Sequence, residues 1–288
     1  MPKIVRSEIK LDGIDWEYYT AGAGKSLLLI PAFHSDINRF KPLVEYLSQN
    51  FRVILPHLPG ISNNQTLGDY DYTAKNYARF LNLFVEKMHL QNYLLAGFCL
   101  GGVIIVRMLE QGVKQPERVL IFEGIYDADL FRLQPMYRFI KKAILKLGPK
   151  NKLLNSIVDL VLHDERALKL YLKFAYSKEK NLDLVIKHQT EITKIMATRA
   201  YIEVIFDIFQ THLAKENLHF SVPTSLIYNK YDNLIDIEPT ISGMQRLFPN
   251  SEVLQVDLTQ HSPAGAIDIK FVHEMIKPLE DKLMQLKD

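Results

Sequence analysis

Cysteine is nearly absent from this chain: one residue, Cys99, in 288. A single thiol excludes an intrachain disulfide framework and the small stapled folds that depend on one. Long apolar runs are missing as well. No segment approaches the roughly 18 uninterrupted apolar residues that a membrane span needs, and the opening "MPKIVRSEIKLDGIDW" has no apolar signal core. These absences lead us to expect a cytoplasmic protein with no integral membrane segment. A surplus of one charge sign is lacking too, with 35 basic residues against 33 acidic ones. That balance is unlike the strong positive field of a nucleic-acid binder, so the expected partner is a small neutral or mildly anionic molecule and not nucleic acid. The histidines show no ligand spacing such as H-E-x-x-H, so no metal and no cofactor is expected. The segment "GAGKS" (22–26) imitates the tail of a phosphate-binding loop but leads into a strand pattern, and Tyr19 stands where the first glycine belongs; it reads as a turn.

What the chain does have is a 48% apolar content, ample for one extended core. Alternating runs over 3–11 and 14–20 flank Asp12-Gly13, a dipeptide suited to a tight hairpin turn. Apolar strand-like runs then alternate with segments of helical period. Strands are expected over 26–33, 51–58, 92–98, 118–124, 224–232 and 252–258, and helices near 37–49, 72–89, 100–111, 237–247 and 267–286. That rhythm predicts a mostly parallel, eight-stranded sheet flanked by helices. Between the halves, 127–215 loses the strand pattern and takes on helical spacing of Leu, Ile, Phe and Tyr. We expect a core of 1–126 and 216–288 with 127–215 as an inserted helical cap. Within it, residues 131–152 hold seven basic side chains (Arg132, Arg138, Lys141, Lys142, Lys146, Lys150, Lys152) and no acid. The run reads either as a solvated helix face or as a surface for an anionic head group, a CoA-like phosphate or a membrane.

The lone cysteine sits in "GFCLGG" (97–102), after one apolar strand run and before one helix run. A strand that ends in Gly-x-nucleophile-x-Gly and turns at once into a helix holds the central side chain out on a strained elbow. Residues two before and two after the nucleophile crowd each other across that turn, which explains Gly97 and Gly101. Gly102 lets the helix pack close. The helix from Leu100 aims its dipole and free N–H groups at Cys99, favouring a thiolate and a developing oxyanion. A small buried structural cysteine is the alternative. A nucleophile needs a base and an orienting acid, and a doubly wound sheet offers both in loops after later strands. Asp232 follows "TSLIYNKY" and His261 follows "EVLQVDLTQ", giving the chain order nucleophile, acid, histidine. Glu123, ending the sixth strand, competes for the acid role, and Asp127 stands close behind it. His34 is a possible substrate contact; His57 reads as a hydrogen-bonded loop residue.

With these motifs assembled, the chain resembles the α/β-hydrolase fold superfamily over nearly its whole length, as a capped member. "GFCLGG" is similar to that family's elbow, with cysteine in place of the usual serine as in dienelactone hydrolases and polyhydroxyalkanoate synthases. "HLPGIS" (57–62) resembles its "DLPGHG" loop and "VKQPERVLIFEG" (113–124) the approach to its sixth strand. "NKYDNLID" and "TQHSP" resemble its acid and histidine loops, so the resemblance implies a triad of Cys99, Asp232 and His261. The family's "HG-x" oxyanion loop is replaced here by Pro31-Ala32-Phe33-His34; the oxyanion donors it implies are the backbone N–H groups of Phe33 and Leu100.

The expected function is hydrolysis of a carboxylic ester, thioester or lactone through an acyl-enzyme, acting on a small-molecule acyl substrate as a monomer or homodimer. A thioester acyl-enzyme passes its acyl group on readily, so an acyltransferase is the second class, and a non-catalytic ligand-binding member of the fold the third. Cap aromatics (Phe131, Tyr137, Phe139, Tyr171, Phe174, Tyr176) are expected to form the cap's core or to exclude water from the site.

Overall fold

A computed structural model describes residues 2–63, 65–133, 135–175, 182–257 and 267–287. The chain opens with β1 (Val5–Leu11) and β2 (Ile14–Ala21), paired antiparallel. Asp12 and Gly13 both hold positive φ, 48° and 84°, the mirror-image turn whose twist matches that of the flanking strands. Six further strands follow: β3 (Ser26–Ile30), β4 (Arg52–Pro56), β5 (Leu94–Phe98), β6 (Arg118–Phe122), β7 (Thr224–Asn229) and β8 (Ser251–Val256). They complete one eight-stranded sheet in the order β1-β2-β4-β3-β5-β6-β7-β8, parallel from β4 to β8. The central strands are apolar without alternation, "LLAGF" and "RVLIF", because helices cover both faces. Edge strand β1, "VRSEIKL", alternates exposed and covered positions instead.

Two apolar layers sandwich the sheet. On one side α2 (Ala74–Lys87), α3 (Leu100–Glu110) and α9 (Ile237–Leu247) bury Tyr77, Phe80, Ile104 and Met244 with Trp16. On the other, α1 (Ile37–Leu47) and α10 (Ile269–Ile276) bury Phe40, Leu43, Val272 and Ile276. Side-chain caps start these helices: the carboxylate of Asp36 accepts from the Arg39 N–H, and the Thr73 hydroxyl from that of Asn76. The single helix expected over 267–286 is broken. α10 ends at Ile276, a 3-10 turn spans Lys277–Leu279, and helix resumes only at Glu280, because Pro278 has no N–H to continue the ladder.

Between β6 and β7 the described residues form α4 (Pro135–Leu147), α5 (Lys152–His163), α6 (Glu165–Ala175), α7 (Leu182–Thr193) and α8 (Thr198–Phe209). α8 is the innermost. Its Glu203 and Asp207 carboxylates accept the N–H groups of Tyr72 and Ala74, each at 2.8 Å, at the start of α2. The entry and exit of this helical segment meet where Asp127 and His212 bridge, their side chains 2.8 Å apart. Phe139 and Phe174 depart from expectation. They stand 72% and 63% exposed, because the core of this segment is made by aliphatic side chains, Ile144, Leu154 and Ile202 in one cluster and Leu168, Leu172 and Ile186 in another. Tyr176 lies outside the described residues.

Candidate active site

Cys99 occupies the turn between β5 and α3 with φ 50° and ψ −108°, a conformation costing on the order of 1–3 kcal/mol for a residue with a side chain. Backbone bonds hold it there: its N–H donates to the Phe122 carbonyl at 2.8 Å, and its own carbonyl accepts from Gly102 at 2.9 Å. The glycines around it have no room for a methyl group. A Cβ on Gly97 would lie 2.7 Å from the Gly101 backbone, and one on Gly101 would lie 2.5 Å from the Ile30 carbonyl oxygen. The same closeness presses the first turn of α3 against the loop that follows β3.

That loop carries Phe33 and His34. The N–H groups of Phe33 and Leu100 donate to no acceptor among the described residues, on two segments that Gly101 brings into contact. His34 has φ 56° and packs edge-on to Phe33, with ring centroids 4.4 Å apart, and against Tyr201 of α8 at 5.5 Å. Its Nδ1 is buried with no hydrogen-bond partner among the described residues, and burial, with the Arg39 charge nearby, pushes its pKa down to about 4. His34 is thus a neutral ring at the edge of the site at ordinary pH.

The two contending acids lie at the same end of the sheet. Asp232, 2% exposed, follows β7, and its Oδ1 accepts from the N–H groups of Leu234 at 2.7 Å and Ile235 at 2.8 Å. Glu123 follows β6 at φ 51°, and its Oε1 accepts from the Asn229 N–H at 2.8 Å. The Tyr228 hydroxyl donates to the Gly124 carbonyl at 3.0 Å, and burial, with the Glu123 and Asp232 carboxylates acting on it, pushes its phenol well above the usual range. Asp127 is engaged elsewhere, bonded to His212 and capping the N–H of Asp129. His261 lies outside the described residues.

A cavity of about 50 Å³ opens beside Cys99, walled by Arg39, Glu123, Phe98, Phe122 and Phe271. One lining residue, Arg39, and one residue packed on Phe33, Tyr201, escaped the sequence reading. Arg39 is only 6% exposed, and its signal was a charge among the apolar positions of α1, beside Phe40 and one turn from Leu43. Tyr201 meets Phe33 at 5.4 Å from the far side of the chain, and nothing local to its sequence marks it. His57 differs from its expected role: among the described residues neither ring nitrogen has a hydrogen-bond partner, although Nδ1 lies 3.5 Å from the Glu17 carboxylate, and burial lowers its pKa. Among the described residues the grouping that could ligate a metal is Asp127, Asp129 and His212, where Lys141 already meets Asp129 at 3.3 Å.

Comparison with known proteins follows this geometry. The model of the alpha/beta hydrolase fold family matches residues 25–264. A pimeloyl-[acyl-carrier protein] methyl ester esterase of Aliivibrio fischeri is 23% identical over 262 residues, covering 90% of this chain and 95% of that one. A thermophilic esterase from Thermogutta terrifontis superposes with TM-score 0.67 at 16% identity, covering 99% of this chain and 100% of that one. A bromoperoxidase from Bacillus anthracis superposes with TM-score 0.68 at 18% identity, covering 99% and 100%. The sheet order, the strained elbow after β5 and a family match over most of the length lead to one conclusion: this chain belongs to the alpha/beta hydrolase fold family.

Proposed function

We propose that the protein is a hydrolase of carboxylic esters, thioesters or lactones, with Cys99 as nucleophile, His261 as general base and Asp232 as the orienting acid. The observation that carries this reading is Cys99 at φ 50° on a glycine-cleared elbow, directly ahead of the Leu100 N–H at the start of α3. His261 takes the proton from Cys99 Sγ, and the thiolate attacks the substrate carbonyl carbon. The carbonyl electron pair moves onto oxygen, where the N–H groups of Phe33 and Leu100 stabilise it. Collapse re-forms the carbonyl and breaks the bond to the leaving alcohol or thiol, which takes the proton from His261. Water, deprotonated by His261, attacks the thioester in the same way and releases the acid and Cys99.

Residues 127–215 serve in this reading as a cap on a core of 1–126 and 216–288, with Tyr201 as its contribution over Phe33 and His34. The small cavity, lined mainly by apolar side chains with Ser35, Arg39, Cys99 and Glu123 among them, suits a short acyl group. The name of the Aliivibrio fischeri relative, an esterase, supports the same chemistry. The test is intact-mass analysis after mixing with short p-nitrophenyl esters and acyl-CoAs. The wild type is expected to turn over and to carry an acyl adduct that the Cys99→Ala variant lacks, with turnover lower on the order of 10³-fold. Neither turnover nor adduct in the wild type would sink the proposal; an adduct that persists until an alcohol acceptor is added would make the protein a transferase.

A further inference from the structure

Seven of the eleven large apolar side chains exposed among the described residues lie on α4, α5 and α6. On α4, Phe139 shares a stripe with Lys142 and Lys146, spaced three and four residues apart. On α5, Leu153, Ile157 and Leu160 repeat the same spacing at 67%, 52% and 60% exposure; on α6, Leu170 and Phe174 stand beside Arg166 and Lys173. Inward faces are already satisfied, Ile144 and Leu154 against Ile202 of α8 and Leu168 and Leu172 against Ile186 of α7. Among the described residues nothing covers the outward faces.

Charge selects what covers them. Residues 131–175 hold ten basic and three acidic side chains, a surplus of seven positive charges in a chain whose net charge is +2, so the remainder is net negative by five. Lys141 and Lys150 have carboxylate partners, Asp129 and Asp71, whereas Lys142, Lys146 and Lys152 meet none among the described residues. The apolar tips are spread over three helices, each of which also carries basic side chains. A fluid interface can accept each tip separately while its anionic head groups meet the lysines. No described helix is long and apolar enough to cross a membrane, so the contact is peripheral.

We propose that the outer face of α4, α5 and α6 docks on the surface of an anionic phospholipid bilayer, seating Phe139, Leu153, Ile157 and Leu160 at the head-group boundary with Lys142, Lys146 and Lys152 on the phosphates. This goes beyond the chemistry assigned to Cys99 and does not depend on it. The test is cosedimentation of the full chain with vesicles of phosphatidylglycerol and phosphatidylcholine, and with phosphatidylcholine alone. Binding is expected to the first, weakening with added salt, and to be on the order of 100-fold weaker when Lys142, Lys146 and Lys152 are all changed to Gln. Because the one native tryptophan, Trp16, is fully buried, a Phe139→Trp variant reports insertion as a blue shift on anionic vesicles. Hydrolysis of a water-soluble ester, or circular dichroism if none is turned over, checks that each variant is folded. The proposal is overturned by no binding to anionic vesicles, or by binding that the triple lysine change leaves intact. It is overturned equally if, without vesicle binding, the chain self-associates or binds an acidic carrier protein through this face and loses that on Ile157→Ser.

Discussion

His34, Cys99 and Glu123 share a property that few side-chain-bearing residues have. Each holds φ near 50° at the end of one of three adjacent strands, β3, β5 and β6. Backbone strain of this kind persists only where the surroundings enforce it, and Cys99 and Glu123 line one cavity, with His34 in the loop whose Ala32 and Ser35 line it too. His34 has a further consequence for pH. Its ring is neutral in the fold, with a pKa near 4, whereas the unfolded chain takes up a proton below about 6.5. The titration of His34 therefore costs nothing above that pH, and lowers stability progressively as pH falls from about 6.5 to 4, by at most about 3 kcal/mol. A His34→Asn variant keeps a residue tolerant of positive φ and removes the titration. Urea unfolding from pH 7 down to 4 is expected to show a shallower loss of stability in the variant. His57, shifted the same way, leaves some slope in both; superimposable slopes would contradict the assignment.

At the scale of elements, how α8 meets α2 decides how the helical segment is held. Tyr72 and Ala74 lie at the start of α2, where N–H groups have no intrahelical acceptor, and Glu203 and Asp207 supply one each. Glu203 also binds Arg199 at 2.8 Å, so one carboxylate ties the α8 backbone position to the α2 start and to its own helix. Truncation by Glu203→Ala leaves a buried N–H without its acceptor and is expected to cost about 1–3 kcal/mol. Glu203→Gln, which retains an acceptor oxygen, is expected to cost less. Thermal unfolding of the two variants is the measurement, and equal losses would show that the hydrogen bond to Tyr72 is not what holds the segment. This contact was not legible in the sequence, because 131 residues separate its partners and both carboxylates sit on a helix whose local pattern is an ordinary amphipathic one. The elbow was legible, since every steric demand on Gly97 and Gly101 arises from residues within a few positions or from the strand beside it.

The whole molecule is a sheet covered on both faces, and its last helices close one of them. Val272, Met275, Ile276, Leu279 and Leu283 are buried with Phe40 and Leu43 of α1. Side chains of this kind contribute about 1.5–3 kcal/mol each, so five of them approach the whole stability of an ordinary domain. A chain ended at Asp268 is expected to be insoluble or to lack a cooperative unfolding transition by circular dichroism. A soluble truncation that still unfolds cooperatively would show the opposite face to be sufficient by itself. The same scale explains the charge asymmetry. A near-neutral total conceals a positive helical segment set on a negative remainder, visible in the sequence only when the segment is counted alone.

Sequence by itself determined the eight strand patterns, the mirror-image hairpin turn at Asp12-Gly13, the elbow around Cys99 and the helical character of 127–215. Each depends on side-chain periodicity or on crowding between near neighbours, and such short-range physics is written locally. Tertiary structure alone decided which residues share the cavity. Arg39 arrives from α1 and Glu123 from the end of β6. Tertiary structure likewise set Tyr201 of α8 against Phe33 and His34. It also decided that Phe139 and Phe174 face outward, because a helix pattern rich in apolar residues fixes an amphipathic axis and not which side finds a partner. That choice belongs to the strand order and to the helices that pack across it.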